Sequence, residues 1–355
     1  MILLKLKSLL RIYRNAIQHY VSIKKFKPYL NKSKLQAVKA LGKGGYANQL
    51  SHTREFLKEN NVPESRLSKT ALYPVRQILT LKGTQEKFTG DLALITVNGD
   101  VKIFSFNEKR VLNFIKDKAK FDELVETNRY FSDYFLTPII EVNTENKCIT
   151  EKLVDYTPVE QLSESQHNQI LNVLVESTLA HISNLDPNQV TPIAANDLLK
   201  KLKEDFANQS IVKRLEDMIP HALLDIVIPQ IPCHGDSQKN NILLADERVY
   251  FIDWEYAGWY LFYYDPIYML IEPHIYRPDS VVAVEAFTEH NMRQIQKIFN
   301  VFKLELNYSN LPYYLSLALI QRLNQAKING NNNIEYDLFC FNRFLDSFDE
   351  KIKGY

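Results

Sequence analysis

His234-Gly235-Asp236-Ser237-Gln238-Lys239-Asn240-Asn241-Ile242-Leu243, followed by Ile252-Asp253-Trp254-Glu255, is the stretch whose reading decides the fold. It sets two carboxylates and an amide at fixed offsets around a short hairpin-like segment. Asp236 can orient a substrate hydroxyl and accept its proton. Asn241 offers a neutral oxygen, and Asp253, after the strand-like run 248–252, an anionic one. Such oxygens suit Mg²⁺, a hard cation often held by one or two protein groups plus phosphates. His234 is expected to shape the loop by hydrogen bonding, and Gly235 by allowing close backbone approach. Any one of these residues alone is commonplace, because most loop aspartates cap or turn. Their combination, with the apolar Ile242-Leu243-Leu244 between them, points to a site.

Composition sets the wider bounds. A chain of 355 residues can bury a sizeable core and hold two lobes. Its 45% hydrophobic and 24% charged content is ordinary for a globular protein. The net charge of +1 favours no partner class, and no nucleic-acid partner is expected. The distribution is uneven: residues 1–54 hold twelve Lys or Arg and no acidic residue, leaving 31 basic against 42 acidic residues in the rest. Cys148, Cys233 and Cys340 are odd in number and lack metal-ligand spacing, so free thiols in a reducing, cytoplasmic compartment are expected. The longest uncharged run, Leu306 to Gln321, is too short and too polar for a membrane span.

In residues 1–27, Ile2, Leu6, Leu9, Tyr13, Ile17 and Tyr20 recur at helical spacing, with Lys5, Lys7, Arg11, Arg14 and Lys25 largely elsewhere. Charges interrupt the apolar part and no small-residue cleavage site follows, which excludes a secretory signal. Three uses stay open: packing of the stripe on the body, peripheral contact with an anionic membrane at its inner face, and organelle targeting.

Further along, residues 31–69 read as a connecting region, with Gly42-Lys43-Gly44-Gly45 as a turn before a helix at 49–59. Strands are expected at 75–81, 92–97 and 101–106, the last two joined by Asn98-Gly99, a strong hairpin signal. Helical patterning runs from Glu108 to about Tyr130, its first patch Val111, Leu112 and Ile115. A strand pair follows at 139–142 and 148–153. After Pro158 the pattern turns helical: a stripe of Ile170, Leu171, Leu174, Val175 and Leu179, then helices across 194–219 and 283–325 and near 337–352. The expected fold is α+β, with a small antiparallel-sheet N-lobe and a larger helical C-lobe. The expected divisions are a basic helical extension at 1–69, a nucleotide-binding N-lobe at 70–150, a hinge at 151–157 and a catalytic and substrate lobe at 158–355.

Residues 234–265 resemble the catalytic segment of the aminoglycoside phosphotransferase and choline kinase superfamily, relatives of the protein kinases. That family carries His-Gly-Asp or His-Asn-Asp, four residues, Asn-Ile-Leu, and then a second Asp on a strand. Ile252-Asp253-Trp254-Glu255-Tyr256-Ala257-Gly258 is similar to the choline/ethanolamine and thiamine kinase branch. The resemblance implies a protein-kinase-like fold that uses ATP and Mg²⁺. It makes Asp236 the catalytic base and Asn241 and Asp253 the metal ligands, with Asp265 supporting the loop. Lys102, on the third expected strand, would hold the α- and β-phosphates. Glu123, in preference to Glu126 or Glu108, would pair with that lysine. Glu151-Lys152-Leu153 would be the hinge, with Glu151 and Leu153 presenting backbone groups to adenine. The phosphate loop is expected at 83–90, which is glycine-poor; the glycines at 42–45 stand too far from Lys102 in sequence for adjacent strands.

The acceptor implied is a small-molecule alcohol: an amino alcohol, a sugar or an aminoglycoside-like compound. Trp254, Tyr256, Trp259, Tyr260, Phe262, Tyr263 and Tyr264 are either core rings or a cage for a quaternary ammonium group. The alternative to an enzyme is a catalytically inactive kinase-like protein that binds nucleotide or a partner, at a membrane if residues 1–27 take it there.

Overall fold

The computed structural model describes residues 20, 22–32, 34–38, 44–47, 81–96, 98–207, 209–276, 286–328 and 334–352. Two compact units are present, one made of residues 1–126 and 138–158, the other of 127–137 and 159–355.

The first unit is built on one antiparallel sheet. Its strands are β1 (Lys34–Val38), β2 (Gly44–Ala47), β3 (Leu81–Lys82), β4 (Leu92–Ile95), β5 (Val101–Ser105) and β6 (Arg110–Phe114). Helix α1 (Lys118–Phe131), within which the division between units falls, precedes β7 (Ile139–Asn143) and β8 (Cys148–Lys152). The strand order is β3-β1-β2-β4-β5-β6-β8-β7. Gly99, at φ 88°, makes the turn between β4 and β5, which pair Ile95 with Val101 and Leu94 with Lys102. Asp100 anchors the start of α1: its carboxylate accepts the Lys116 N–H at 2.8 Å and lies 3.1 Å from the Lys120 ammonium.

Three expectations change here. Residues 34–47, read as part of a helical extension, carry two strands, and Gly44-Gly45 sits in β2 beside β4. Gly44 and Gly45 therefore stand two strands from Lys102 in the sheet; residues 39–43, with Gly42, lie outside the described residues. Sequence distance misled because closing a long loop costs free energy only logarithmically in its length. The expected helix at 49–59 and most of the strand at 75–81 also lie outside the described residues. Second, Gly83 to Gly90 is no hairpin between neighbouring strands. It is pinned to 27–31, with Thr84 N–H donating to Lys27 O at 2.8 Å and Gly90 N–H to Tyr29 O at 3.0 Å. A Cβ on Gly83 would lie 1.9 Å from Leu30 O, so a glycine is required by that close approach. Third, Val111 and Leu112 belong to β6, not to a helix. The apolar run is buried on both faces, so its periodicity cannot separate strand from helix. Glu108 accordingly sits in the β5–β6 turn and accepts the Thr89 N–H at 3.2 Å.

One sheet face is covered by Ile23, Phe26, Leu30 and Phe88, packed with Tyr46, Ile95, Ile103 and Phe114. The end of the basic segment thus packs on its own unit, through the buried Ile23 and Phe26; residues 1–19 lie outside the described residues. Among the described residues, no helix is long and apolar enough to cross a membrane.

The second unit is mainly helical. It contains α2 (Glu164–Ser183), β9 (Thr191–Ala194), α3 (Ala195–Phe206), α4 (Ser210–Asp217), β10 (Val227–Cys233), β11 (Ile242–Ala245), β12 (Arg248–Phe251), β13 (Gly258–Leu261), α5 (Tyr264–Tyr276), α6 (Glu289–Val301), α7 (Leu311–Ile328) and α8 (Ile334–Ile352). Helix α2 opens with a capping box, Ser163 and Gln166 each satisfying the other's backbone N–H, and buries Ile170, Leu171, Leu174 and Val175 as expected. The sheet β13-β10-β9 and helix α5 were not anticipated. Pro229 and Pro232 obscured β10, and Pro266 and Pro273 obscured α5. All three cysteines are free thiols and buried. The expectation of an α+β fold with an antiparallel-sheet unit and a larger helical unit holds.

Beneath β12 lies an aromatic cluster. Phe131 stacks on Trp254 at 4.5 Å, Phe135 meets Phe251 at 5.0 Å, and His181 is enclosed by Tyr130, Tyr134 and Phe131. His181 Nε2 is 2.8 Å from the Tyr130 hydroxyl. Burial pushes the imidazole down to about 4, so the fold holds it neutral. Between about pH 6.5 and 4 the unfolded chain binds a proton that the folded chain refuses, so stability present above pH 6.5 is lost as pH falls. The loss should reach up to about 3 kcal/mol by pH 4. Urea midpoints measured across that range should fall, and His181→Phe should flatten this part of the dependence.

Candidate active site

Strand β10 delivers the chain into His234-Gly235-Asp236, and the carboxylate of Asp265 at the start of α5 fixes it there. Asp265 accepts the His234 N–H at 2.8 Å on Oδ2 and the Gly235 N–H at 3.0 Å on Oδ1. Its carbonyl accepts the Ser237 hydroxyl at 2.8 Å. Burial pushes the Asp265 carboxyl up, while His234 and the two amides pull it back toward the ionised form. Gly235 takes φ +76°, and a Cβ there would lie 2.3 Å from Tyr256 O. His234 locks the other side. Its Nδ1 accepts the Asp236 N–H at 3.3 Å, which leaves Nε2 to donate to Ile252 O at 2.9 Å. Its ring also packs against Trp254 at 4.4 Å.

The carboxylate of Asp236 is buried and has two unlike oxygens. Oδ2 accepts from Asn241 Nδ2 at 2.9 Å and from Gln238 Nε2 at 3.0 Å. Oδ1 has no hydrogen bond, although the Arg322 guanidinium is within ion-pair distance at 3.2 Å. Their contact is electrostatic without hydrogen-bond alignment. Asn241 Nδ2 also donates to Asp236 O at 3.0 Å. Both neighbours of that nitrogen are acceptors, which assigns the amide and turns Asn241 Oδ1 away from Asp236.

The hairpin β11–β12 carries the chain from Asn241 to Asp253. Its turn is made by Asp246 and Glu247 at φ 48° and 61°. The Ile252 N–H donates to Asn241 O at 2.9 Å, tying the two ends of the hairpin together. Asp253 follows, exposed and left-handed at φ 65°, before the short turn Trp254–Tyr256. A non-glycine residue at such a φ carries backbone strain of a kind found at functional sites. Among the described residues, no cluster of three or more His, Cys, Asp or Glu could hold a metal ion. The oxygen donors Asn241 and Asp253 fit the smaller protein share that Mg²⁺ takes when phosphates complete its shell.

Asp236, Asn241 and Asp253 thus share one loop-and-hairpin. In the other unit, Lys102 lies half-buried in β5, and Glu123 is exposed on α1. Glu151 is half-buried within β8, and Leu153 follows that strand with its N–H donating to Lys109 O at 2.8 Å. Of the seven aromatic residues after Asp253, Trp254, Tyr260, Phe262, Tyr263 and Tyr264 are core; Tyr256 is half-buried and Trp259 exposed.

Arg322 and Gln238 are contacts that residue patterns did not point to. Arg322 sits mid-α7 among Leu317, Leu319, Ile320 and Leu323, all fully or nearly fully buried. A lone charge ending the longest uncharged run of the chain was the available signal. Burial opposes its charge, but Tyr268, Tyr264 and Asp236 hold the guanidinium firmly protonated. A cavity of about 260 Å³ adjoins Lys239, with Leu171, Met269, His167 and Asn291 in its wall.

Residues 153–295 match the phosphotransferase enzyme family. That segment contains residues 234–265 and agrees with their resemblance to a phosphotransferase family. Protein LicA of Haemophilus influenzae is 30% identical over 70 residues, 20% of this chain. The match spans about a quarter of that relative, 26% of its length. Among solved structures, choline kinase LicA from Streptococcus pneumoniae aligns at TM-score 0.45 and 12% identity, over 74% of this chain and 92% of its own. Aminoglycoside 2'-phosphotransferase-IIIa, as its GDP complex, aligns at TM-score 0.48 and 12% identity, over 70% and 90%.

Two glycines test the loop. Gly235→Ala should lose about 2 kcal/mol or more, since it combines a left-handed φ with a backbone clash that would push the His234 and Gly235 amides off Asp265. Gly258→Ala, whose Cβ would meet nothing nearer than 3.6 Å, should change stability by less than about 1 kcal/mol. Urea unfolding of both variants checks the contrast.

Proposed function

We propose that this chain, which carries a phosphotransferase-family segment at 153–295, is an ATP- and Mg²⁺-dependent kinase that moves the γ-phosphate to a hydroxyl of a small molecule. The acceptor classes in view are amino alcohols, sugars and aminoglycoside-like compounds. The observation that carries the reading is the division of labour within the Asp236 carboxylate. One oxygen is fixed by Asn241 and Gln238, and the other has no hydrogen bond. Only the second has lone pairs to offer a substrate hydroxyl.

In this reading Asp236 Oδ1 accepts the hydroxyl proton as the oxygen attacks phosphorus, and Asp236 Oδ2 stays bonded so that the carboxylate does not rotate. Asn241 donates to Asp236 through nitrogen and presents oxygen to the metal, so one side chain couples the base to the nucleotide. Asp253 supplies the second metal oxygen. Bound Mg²⁺ would neutralise charge on the transferring phosphoryl group. Lys102 is assigned to the α- and β-phosphates, Glu123 to holding Lys102, and Glu151 and Leu153 to the adenine edge. These roles follow the family pattern. A base aligned this tightly is unneeded in a protein that only binds, which is why the catalytic reading is preferred.

Two variants test it. Asp236→Asn keeps the shape and its Asn241 side of the network but removes the proton acceptor. Its turnover should fall by roughly 10²–10⁴-fold while Mg²⁺–ATP still binds, and near-normal turnover would refute the base assignment. Asp253→Ala should abolish the Mg²⁺-dependent part of nucleotide affinity, read by calorimetry with and without the metal. Equal heats in variant and wild type would remove Asp253 from the ligand set.

A further inference from the structure

The acceptor hydroxyl must come within hydrogen-bond distance of the Asp236 carboxylate. Oδ2 is engaged, so the approach is to Oδ1, and Oδ1 faces Arg322 Nη2 at 3.2 Å. The guanidinium carbon lies 4.9 Å from the centre of the Tyr268 ring and 5.7 Å from that of Tyr256. Nη1 donates to Gly235 O at 3.4 Å. Nε is buried without a partner.

A kinase for a quaternary-ammonium alcohol needs aromatic faces beside its base to hold the cation. Here two tyrosine rings already hold a cation. Tyr256 and Tyr268 face Arg322, and Trp254, Tyr260, Phe262, Tyr263 and Tyr264 are buried in the core. Electrostatics point the same way. In an amino alcohol the nitrogen stands only two carbons from the reacting oxygen. Its charge would therefore lie beside a desolvated guanidinium, the arrangement that enclosed sites use to reject a wrong partner.

We infer that Arg322 occupies the seat a substrate cation would take, and that the acceptor is an alcohol with no positive charge near its reacting hydroxyl, of the sugar or polyol class. Arg322 is thus a specificity-determining residue supplied from α7. The inference narrows the kinase reading above and rests on Asp236 being its base.

The test separates the two claims by including a readout that needs no turnover. Tetramethylammonium is titrated by calorimetry into wild type, Arg322→Ala and Arg322→Gln, with thermal melts to establish that each variant is folded. Wild type should give no saturable heat. Arg322→Ala, which empties the seat and leaves the Asp236 charge, should bind the probe. Arg322→Gln, which removes the charge and keeps most of the volume, should bind it more weakly than Arg322→Ala and is the folded reference if Arg322→Ala is not. Saturable binding to wild type overturns the proposal by itself, and so does a folded Arg322→Ala that gains none. In phosphotransfer assays of wild type with ATP, choline should be turned over with kcat/KM on the order of 100-fold or more below glucose or glycerol. Preference for choline also overturns the proposal. Transfer to none of the acceptors would count against the kinase reading, and the calorimetric arms would still decide the assignment of Arg322.

Discussion

One carboxylate organises the segment from His234 to Asn241. Asp265 takes the backbone N–H groups of His234 and Gly235 on its two oxygens and the Ser237 hydroxyl on its carbonyl. A buried amide without a partner is costly, and a loop making a left-handed turn cannot satisfy its own. Asp265 solves both problems at once and does so from the first turn of a helix, a rigid platform. Everything downstream depends on that anchorage: the direction of Asp236, the position of Asn241 and the tie between Asn241 and Ile252.

The carboxylate of Asp236 illustrates how a few neighbours produce an asymmetric group. Asn241 and Gln238 saturate one oxygen, while Arg322 balances the charge of the other without a hydrogen bond to it. The result is a buried carboxylate with one oxygen hydrogen-bonded and the other only ion-paired. Its counterion comes from α7, 86 residues along the chain from Asp236, and the aromatic rings of Tyr256 and Tyr268 screen that counterion from water. An ion pair of this kind fixes orientation more than it adds stability, since desolvation offsets much of its attraction.

Some of the molecule was legible in residue patterns and some was not, for identifiable reasons. Helix α2 was readable because its apolar residues recur at helical spacing. Strand β6 reads as helix in the sequence because it is buried on both faces, and such a run has no clear alternation to read. The glycine pair at 44–45 stands far from Lys102 in sequence, yet its strand pairs with β4, because sequence distance does not govern strand pairing. The rings at 254–264 were legible as either core or cage, and burial decides for core at five of the seven.

What the sequence by itself determined is the local chemistry of 234–265. Fixed offsets along one chain bring Asp236, Asn241 and Asp253 onto a loop and its hairpin whatever surrounds them, because a hairpin of this length closes on itself. What only the tertiary structure decided is which oxygen of Asp236 is engaged and what stands beside the other. That depends on Arg322, on a helix remote in the chain, and on which tyrosine faces are left for a cation. Contacts of that kind arise from packing between distant elements, and packing is not written in the spacing of any one segment.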